Sequence, residues 1–244
     1  MRSHTTSLRM HVACWPVAVL VVLSICGCGD RGGVDSTPPT VTAGALSTRT
    51  YKTNFDLTEN PISEGGVWRR ASNVWTNVRT DNGMAFGTNG IANTYDDSYA
   101  LLSGFGSDQQ AEAVAFRSPT LKSGITHEIE LLLRFSDDAN NVRGYECLFS
   151  YDGGVQIVRW NGALGNFTVL PTSGAGNLRR GLVSGDVIKA TIVGNVISAY
   201  INGVLRAQAI DSTFASGQPG IGFFTRPSGN SENFGMTSYT ASSN

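Results

Sequence analysis

Residues 185–222 read GDVIKATIVGNVISAYINGVLRAQAIDSTFASGQPGIG, and this stretch carries the clearest structural signals in the chain. Its β-rich runs are interrupted by two short turn sequences, Val193-Gly194-Asn195-Val196 and Ile201-Asn202-Gly203-Val204. Asn and Gly both tolerate the positive φ angles of the tight turns that join antiparallel strands. Residues 186–210 are therefore predicted to form a three-stranded antiparallel meander.

The chain from Arg49 onward has the same pattern, in which short β-rich runs are separated by the turn-forming residues Gly, Asn, Asp and Pro. No window sustains a helical period for ten residues, and a turn at Asp211–Phe214 is the only helical element predicted. Strands are expected near residues 50–57, 66–70, 74–79, 83–87, 98–103, 109–117, 126–135, 143–151, 154–160, 166–170, 186–193, 196–201, 204–210, 219–225 and 234–240. This number of short strands cannot form one flat sheet. We therefore predict an all-β fold, a two-sheet antiparallel β-sandwich of the jelly-roll type.

The composition agrees with such a fold and excludes several classes of protein. The chain has 244 residues, of which 29 are Gly and only 15% are charged, and its formal net charge is −1. A coiled coil or helical bundle would be richer in Glu, Lys, Ala and Leu. A nucleic-acid-binding domain would carry a basic surface, so no nucleic acid partner is expected.

The N-terminus has the features of an export signal. Arg2 and Arg9 supply positive charge, and Val17–Ile25 is an apolar run of nine residues. That run is shorter than the roughly 20 residues of a membrane-spanning helix and typical of a signal peptide. It is followed by Gly27-Cys28, which resembles the lipobox of bacterial lipoproteins, in which the cysteine is lipidated.

This resemblance implies a signal peptide over residues 1–27 and a lipid anchor on Cys28. The alternative is an ordinary secretory signal with incidental cysteines. Residues 28–48 are rich in Gly, Ser, Thr and Pro and are interpreted as a flexible tether. Residues 49–244 are interpreted as one β-sandwich domain. The protein is thus expected to be exported and membrane-anchored, in the periplasm or at the cell surface, with the lipid as its only contact with the membrane.

Only Cys28 and Cys147 remain after removal of residues 1–27. Since lipidation would occupy Cys28, no disulfide partner is left for Cys147. Cys147 lies in a strand-like run, which favours a buried thiol over a nucleophile.

The order of motifs resembles the C-terminal half of concanavalin A-like lectin/glucanase jelly rolls, a superfamily that includes laminin-G-like modules. The resemblance rests on Gly185-Asp186, on the tyrosine strand ending in Asn202-Gly203, on Asp211-Ser212-Thr213 and Ser216–Gly222, and on the earlier pieces Phe105–Gln109 and Arg143–Glu146. It covers roughly residues 55–239. It implies the sandwich fold, but the superfamily includes lectins, carbohydrate-binding modules, hydrolases, lyases and adhesion domains, and the fold does not select among them.

The glucanases of this superfamily carry two or three acids on one strand. Here the nearest match is His127-Glu128-Ile129-Glu130, in which Glu128 and Glu130 share a face because alternate residues of a strand point the same way. They are the candidate catalytic pair, since a retaining hydrolase holds two carboxyl groups about 5 Å apart. The central Asp and the third acid of the pattern are missing, and residues 132 and 133 are both leucine. The alternative interpretation is a polar strand face that holds Glu–Arg pairs.

A sugar-binding surface needs aromatic rings for stacking and polar groups for hydrogen bonds. Trp160 lies beside the Asn161-Gly162 turn and is a candidate for the rim of a groove, with a packing role as the alternative. Trp68 and Trp75 are expected to be packing residues. The predicted ligand-binding set on the concave sheet is Glu128, Glu130, Arg134, Tyr145, Glu146, Arg159 and Trp160. Strict alternation does not put all seven on one face.

No cofactor is predicted. Asp96-Asp97 and Asp137-Asp138 lie in oxygen-rich segments that are candidates for a structural Ca²⁺, with solvated turns as the alternative. His127 is the only histidine beyond the signal, which excludes a site built from several histidines.

Three hypotheses of function follow, of which we favour the first. The chain is a non-catalytic carbohydrate-binding lipoprotein whose partner is a polysaccharide or other glycan. Alternatively, it is a polysaccharide hydrolase or lyase that uses Glu128 and Glu130, or a Tyr145–His127 acid/base pair. The third hypothesis is a structural adhesion domain, which a filled sheet face without an exposed aromatic would favour.

Overall fold

The computed structural model describes residues 48–73, 75–88, 96–226 and 231–244. Its strands are β1 (Arg49–Thr53), β2 (Thr76–Asp81), β3 (Met84–Gly87), β4 (Asp96–Leu101), β5 (Gln109–Arg117), β6 (Thr126–Asp137), β7 (Val142–Ser150), β8 (Val155–Gly162), β9 (Phe167–Val169), β10 (Val187–Val193), β11 (Val196–Ile201), β12 (Val204–Ile210), β13 (Gln218–Arg226) and β14 (Phe234–Ser243). A 3₁₀ turn at Ser231–Asn233 precedes β14.

The strands form two layers. The first layer has the order β12-β11-β10-β5-β14-β3, with β1 also paired to β14, and the second has the order β4-β13-β6-β7-β8-β9. Strand β2 joins them, because it pairs antiparallel with β3 and parallel with β4. This parallel pair is a departure from the purely antiparallel sandwich that the sequence predicts.

The main hydrophobic core lies between the two layers. Alternation places Ala113 of β5 and Ile188 of β10 on the inner face of the first layer, and Ile129 of β6 and Cys147 of β7 on that of the second. All four are buried, so the predicted burial of the Cys147 thiol is confirmed. Burial raises the pKa of this thiol, which keeps it uncharged.

A second, smaller apolar cluster covers part of the outer face of the second layer. It contains Trp75, Tyr99, Leu101, Leu132, Phe135, Val142, Val158 and Trp160. Strand β6 is therefore covered on both faces, which explains why its residues 129–135 are all buried. The predicted packing roles of Trp68 and Trp75 agree with their burial, in the main and the smaller cluster respectively.

The turns predicted from sequence join the expected strands. Val193 pairs with Val196 at the β10–β11 turn, and Asn202 and Gly203 both have positive φ at the β11–β12 turn. The predicted meander is confirmed. Two local predictions are wrong: residues 66–70 form no strand, and Asp211–Phe214 has no helical turn. Asp211 is instead held by side-chain hydrogen bonds described below.

The free edge of the first layer is covered by a short segment. Ser173 N donates a hydrogen bond to Gln208 O at 2.9 Å, Gln208 N donates to Ser173 O at 2.7 Å, and Gly176 N donates to Arg206 O at 2.9 Å. These bonds occupy part of the outer edge of β12. At the other end of the strand order, β9 has only three residues.

The predicted signal peptide, Cys28 and nearly all of the predicted tether lie outside the described residues. Among the residues that are described, there is no helix with the length and hydropathy needed to cross a membrane.

Candidate functional site

A cavity of about 630 Å³ lies on the outer face of the second layer, beside the smaller apolar cluster. We call it the acidic groove. Its lining consists of Asp97, Glu128, Glu130, Glu146, Leu148, Gln156, Val158, Trp160, Leu164, Gly165, Phe167 and Phe224. Gln156, Leu164 and Phe167 are exposed, so the groove opens to solvent on the side of β8 and β9.

Strand register brings the glutamates together. Glu128 and Glu130 are two residues apart on β6, so both point to the outer face, with Cα atoms about 7 Å apart. On the neighbouring strand, Glu146 pairs with Leu132 while Leu148 pairs with Glu130. Glu146 is thus the diagonal neighbour of Glu130 on the same face, a relation that places Cα atoms roughly 7–8 Å apart.

Strand β13 lies on the other side of β6 and contributes two positions. Phe224 pairs with Glu128 on one side and with Asp97 on the other, which brings Asp97 into the groove. Gly222 pairs with Glu130, and a Cβ atom at Gly222 would overlap the Glu130 carboxylate. The carboxylate of Glu130 therefore occupies the space that any larger residue at 222 would need.

The glutamate carboxyl groups of the groove are buried, and its described lining has no cationic side chain to compensate them. Burial raises the pKa of Glu128 to about 8, with added repulsion from Glu146, Asp97 and Asp152. The pKa of Glu130 is also raised by burial and then by Glu146, Asp97 and Glu128.

Glu146 has one compensating contact. Burial, with some repulsion from Asp97, raises its pKa to about 8, although the indole N–H of Trp160 opposes the rise. That N–H donates to Glu146 at 2.6 Å. Among the described residues, Glu128 and Glu130 accept no side-chain hydrogen bond, and the ion pairs there all use aspartates.

Trp160 lies in the wall of the groove and is only 7% exposed. Its ring is enclosed by Trp75 and Phe167, with ring centroids at 5.4 and 5.3 Å. Trp160 therefore has the packing role that the sequence left as the alternative, and its ring is not exposed at the rim. Phe167, which is 49% exposed, has that position instead.

Arg134 does not face the groove, although simple alternation from Glu130 would place it there. The register between β6 and β7 shifts between Leu133 and Ser136, and Arg134 has a φ of 47° at this bulge. The extra residue turns its guanidinium to the opposite side, where it donates to the Ser107 carbonyl at 2.7 Å and to Asp108 at 3.2 Å.

Tyr145 and Arg159 also face away from the groove, because each is one residue out of phase with Glu146 and Trp160. The Tyr145 hydroxyl donates to Asp211 at 2.7 Å, and Arg159 donates to the other oxygen of Asp211 at 2.5 Å. Tyr145 and Arg159 therefore share Asp211 as their hydrogen-bond acceptor. The predicted seven-residue surface is thus corrected to four members, Glu128, Glu130, Glu146 and Trp160.

A Tyr145–His127 acid/base pair is not formed. His127 packs on the ring of Phe234 at 4.9 Å, and Tyr145 pairs in register with Leu133, six residues further along β6. Six residues of strand span about 20 Å.

The oxygen-rich segment at Asp137-Asp138 is engaged in internal contacts, and Asp97 of the other segment lines the acidic groove. Asp137 accepts from Arg69 at 2.6 Å and from the Tyr99 hydroxyl at 2.7 Å, and Asp138 accepts from Arg143 at 3.2 Å. Within the described ranges, no group of three or more His, Cys, Asp or Glu side chains has the arrangement of a metal site.

Eight lining residues were not in the predicted ligand-binding set: Asp97, Leu148, Gln156, Val158, Leu164, Gly165, Phe167 and Phe224. Of these, Asp97 is a sequence-based candidate only for Ca²⁺. Gln156 could have been found, since it has the same parity as Trp160 on β8. Asp97 and Phe224 could not, because only the pairing of distant strands β4, β13 and β6 brings them beside the glutamates.

No protein-family model matches the sequence, and no curated protein matches it. Solved structures of similar fold include the carbohydrate-binding module CBM66 from Bacillus subtilis, with a TM-score of 0.50, 19% identity, and coverage of 75% of this chain and 96% of that one. The β-porphyranase BpGH16B from the human gut bacterium Bacteroides plebeius has a TM-score of 0.50 and 10% identity, covering 80% of this chain and 92% of that one. The carbohydrate recognition domain of Emp46p, in a potassium-bound form, has a TM-score of 0.50 and 14% identity. The match covers 77% of this chain and 93% of that one.

The chain therefore has the concanavalin A-like lectin/glucanase fold, a β-sandwich of the jelly-roll type. At these identities the similarity defines the fold alone, since one fold hosts many functions.

Proposed function

We propose that the protein binds a carbohydrate chain in the acidic groove. The observation that carries the proposal is the combination, in one cavity of about 630 Å³, of the exposed Phe167 ring with the polar side chains of Gln156 and Glu128. Sites for small ligands have volumes of about 300–1,000 Å³ and combine apolar walls with a few polar groups. Similar folds in a carbohydrate-binding module and a carbohydrate recognition domain support the proposal.

We further propose that binding is not followed by cleavage. A retaining glycosidase needs one carboxyl group that is ionised as nucleophile and one that is protonated as acid. Environments that push two pKa values apart create such a division of roles. In the acidic groove burial raises the pKa values of Glu128, Glu130 and Glu146 alike, so their environments do not divide the roles of nucleophile and acid among them.

The setting of this activity is proposed from the N-terminal sequence. The apolar run and Gly27-Cys28 support export of the chain and its attachment to a membrane by a lipid on Cys28. The glycan is then the partner of the domain, and the lipid is its membrane contact. Metabolic labelling with a fatty acid, compared between the wild type and Cys28→Ala, tests the anchor.

The test of the main proposal is a glycan array combined with a depolymerisation assay on the purified chain. Phe167→Ala should weaken binding at least tenfold, because it removes the exposed ring from the rim. Ile210→Ala is the matched control, since Ile210 is an exposed apolar residue on β12 of the first layer. Equal binding by the wild type and Phe167→Ala would overturn the assignment of the groove.

Hydrolysis is the second candidate function. It is favoured by the position of Glu128 and Glu130, which share a face of β6 and line an open groove with no Arg or Lys in its described lining. The same screen tests it: product release that disappears in Glu130→Gln would replace binding by catalysis. The adhesion hypothesis is disfavoured, because the outer face holds a cavity with an exposed aromatic side chain at its rim.

A further inference from the structure

We infer that the acidic groove selects glycans with free amino groups, such as glucosamine polymers, over N-acetylated, neutral or anionic ones. This inference rests on the proposed function and specifies its substrate class. It is carried by a buried carboxylate that faces the cavity without a partner.

That carboxylate belongs to Glu130. Its side chain lines the cavity and the residue is only 6% exposed, yet no described residue donates a side-chain hydrogen bond or forms an ion pair with it. A buried carboxylate without a partner is costly, and such groups in proteins are normally paired. A ligand that brings a positive charge and N–H donors would supply the missing partner.

The charged side chains around Glu130 are acidic, and none of the side chains in the described lining is cationic. Glu128, Glu146 and Asp97 line the same cavity, and the described lining contains no Lys or Arg. Arg226 at the end of β13 pairs in register with Thr126, beyond Glu128, and is not part of the lining. The sequences of residues 89–95 and 227–230 contain no Lys or Arg either.

The chain does not lack cations in general. It has 18 Lys and Arg residues against 19 Asp and Glu residues, so the excess of acidic residues in the groove is local. Arg134, which simple alternation would place beside the glutamates, lies on the other side of the sheet and pairs with an aspartate. Arg159, the one cationic residue of β8, lies on that side too and also pairs with an aspartate. The fold thus separates the carboxylates of the groove from the cations nearest in sequence.

The apolar part of the groove suits the same ligand. Phe167 stands at the rim, and an ammonium group over an aromatic ring is attracted to the electron-rich face of that ring. The ring also stacks on the apolar face of a sugar. A uronate or a sulfated sugar would instead bring negative charge against the glutamates and is expected to be rejected.

The experiment compares ligands that differ only in acetylation. Isothermal titration calorimetry at pH 6, where the free amino groups are mostly protonated, measures binding of the full-length protein to fully deacetylated and fully N-acetylated chitin hexamers. A glucan hexamer and an oligouronate of the same length serve as neutral and anionic references. We expect the deacetylated hexamer to bind at least tenfold more tightly than the acetylated one.

Two variants locate the effect. Glu130→Gln keeps the shape of the side chain but removes its charge, and should abolish the preference for the free amine. Glu112→Gln is the control, because Glu112 lies on β5 in the first layer. Phe167→Ala, which alters an exposed residue, should weaken binding of the deacetylated hexamer even if Glu130→Gln folds poorly.

The outcomes separate the inference from the proposed function. Equal or tighter binding of the acetylated, neutral or anionic oligosaccharide overturns the inference and leaves carbohydrate binding in place. A preference for the amine that survives in Glu130→Gln and Phe167→Ala assigns it to another surface and also overturns the inference. Binding of no oligosaccharide overturns the proposed function together with the inference.

Discussion

Trp160 donates its indole N–H to Glu146, with 2.6 Å between Nε1 and Oε2, and both side chains are buried. The bond joins the apolar cluster of the outer face to the carboxylates of the groove. It also gives Trp160 a role different from sugar stacking: the indole fixes the position of a carboxylate, and the exposed Phe167 is left at the rim.

Loss of this bond should destabilise the protein in a pH-dependent way. Trp160→Phe is expected to lower the free energy of unfolding by roughly 1–3 kcal/mol, because a buried acceptor loses its donor. The loss should be larger at pH 9 than at pH 5, since the ionised carboxylate accepts the stronger bond. Urea denaturation at both pH values measures it. In a Glu146→Gln background the same substitution should cost equal amounts at both pH values, and a persisting pH dependence would contradict the role of Glu146.

The raised carboxyl pKa values predict that stability falls as the pH rises from about 4.5 to 8. Glu128 has a pKa of about 8 in the folded protein against 4.5 as a model value, so the folded state binds more protons in this range. Stability then decreases with pH, by on the order of a few kcal/mol per group. Glu128→Gln should flatten the curve of melting temperature against pH.

The comparison must be made between variant and wild type, because His127 acts in the opposite direction. Burial lowers the pKa of His127, so this residue weakens folding as the pH falls below about 6.5. Glu112→Gln serves as the control and should keep the wild-type slope. A Glu128→Gln curve parallel to the wild-type curve would show that Glu128 is not ionised at an unusual pH.

Asp211 should matter more for stability than other surface-facing aspartates. Its carboxylate accepts from both Tyr145 and Arg159, and these bonds lower its pKa. Asp211→Ala is expected to cost roughly 1–3 kcal/mol, because the buried Tyr145 hydroxyl loses its acceptor. Asp138→Ala is the matched control and should have the smaller effect, because its pair with Arg143 is exposed and solvent weakens such pairs. Chemical denaturation of the two variants should rank them in that order.

Gly222 is required by the close approach of the Glu130 side chain. Gly222→Ala should cost about 1–3 kcal/mol, because the added methyl group must displace that side chain. Gly154→Ala is the control, since a Cβ atom there has its nearest contacts at 3.5 Å. Thermal melting of the double variant Gly222→Ala/Glu130→Ala distinguishes the cause: if Glu130 is the obstacle, adding the second change should remove most of the penalty of the first.

The sequence predicts the strands and their faces well where residues alternate without interruption. Glu128 and Glu130, and likewise Gln156 and Trp160, lie on the faces that their parity indicates. The prediction fails for Arg134, because the bulge depends on how β6 aligns with β7 and no local signal marks it.

Contacts between distant strands are the second reason why the sequence does not predict the whole site. The environment of Trp160 depends on Trp75, which is 85 positions earlier in the chain, and the pairing of Asp97 with Phe224 depends on strands more than 100 residues apart. Periodicity within one segment carries no information on such pairings. The aromatic character of residue 160 was visible in the sequence, but its burial was not.

The segment at residues 173–176 that covers the edge of β12 has a consequence for chains held close together. An uncovered strand edge offers backbone N–H and C=O groups to a neighbouring molecule and promotes intermolecular sheet extension. Here part of one terminal edge is already hydrogen-bonded within the chain, and the other terminal strand is only three residues long. These two edges therefore offer neighbouring copies of the chain little template for growth of a shared sheet.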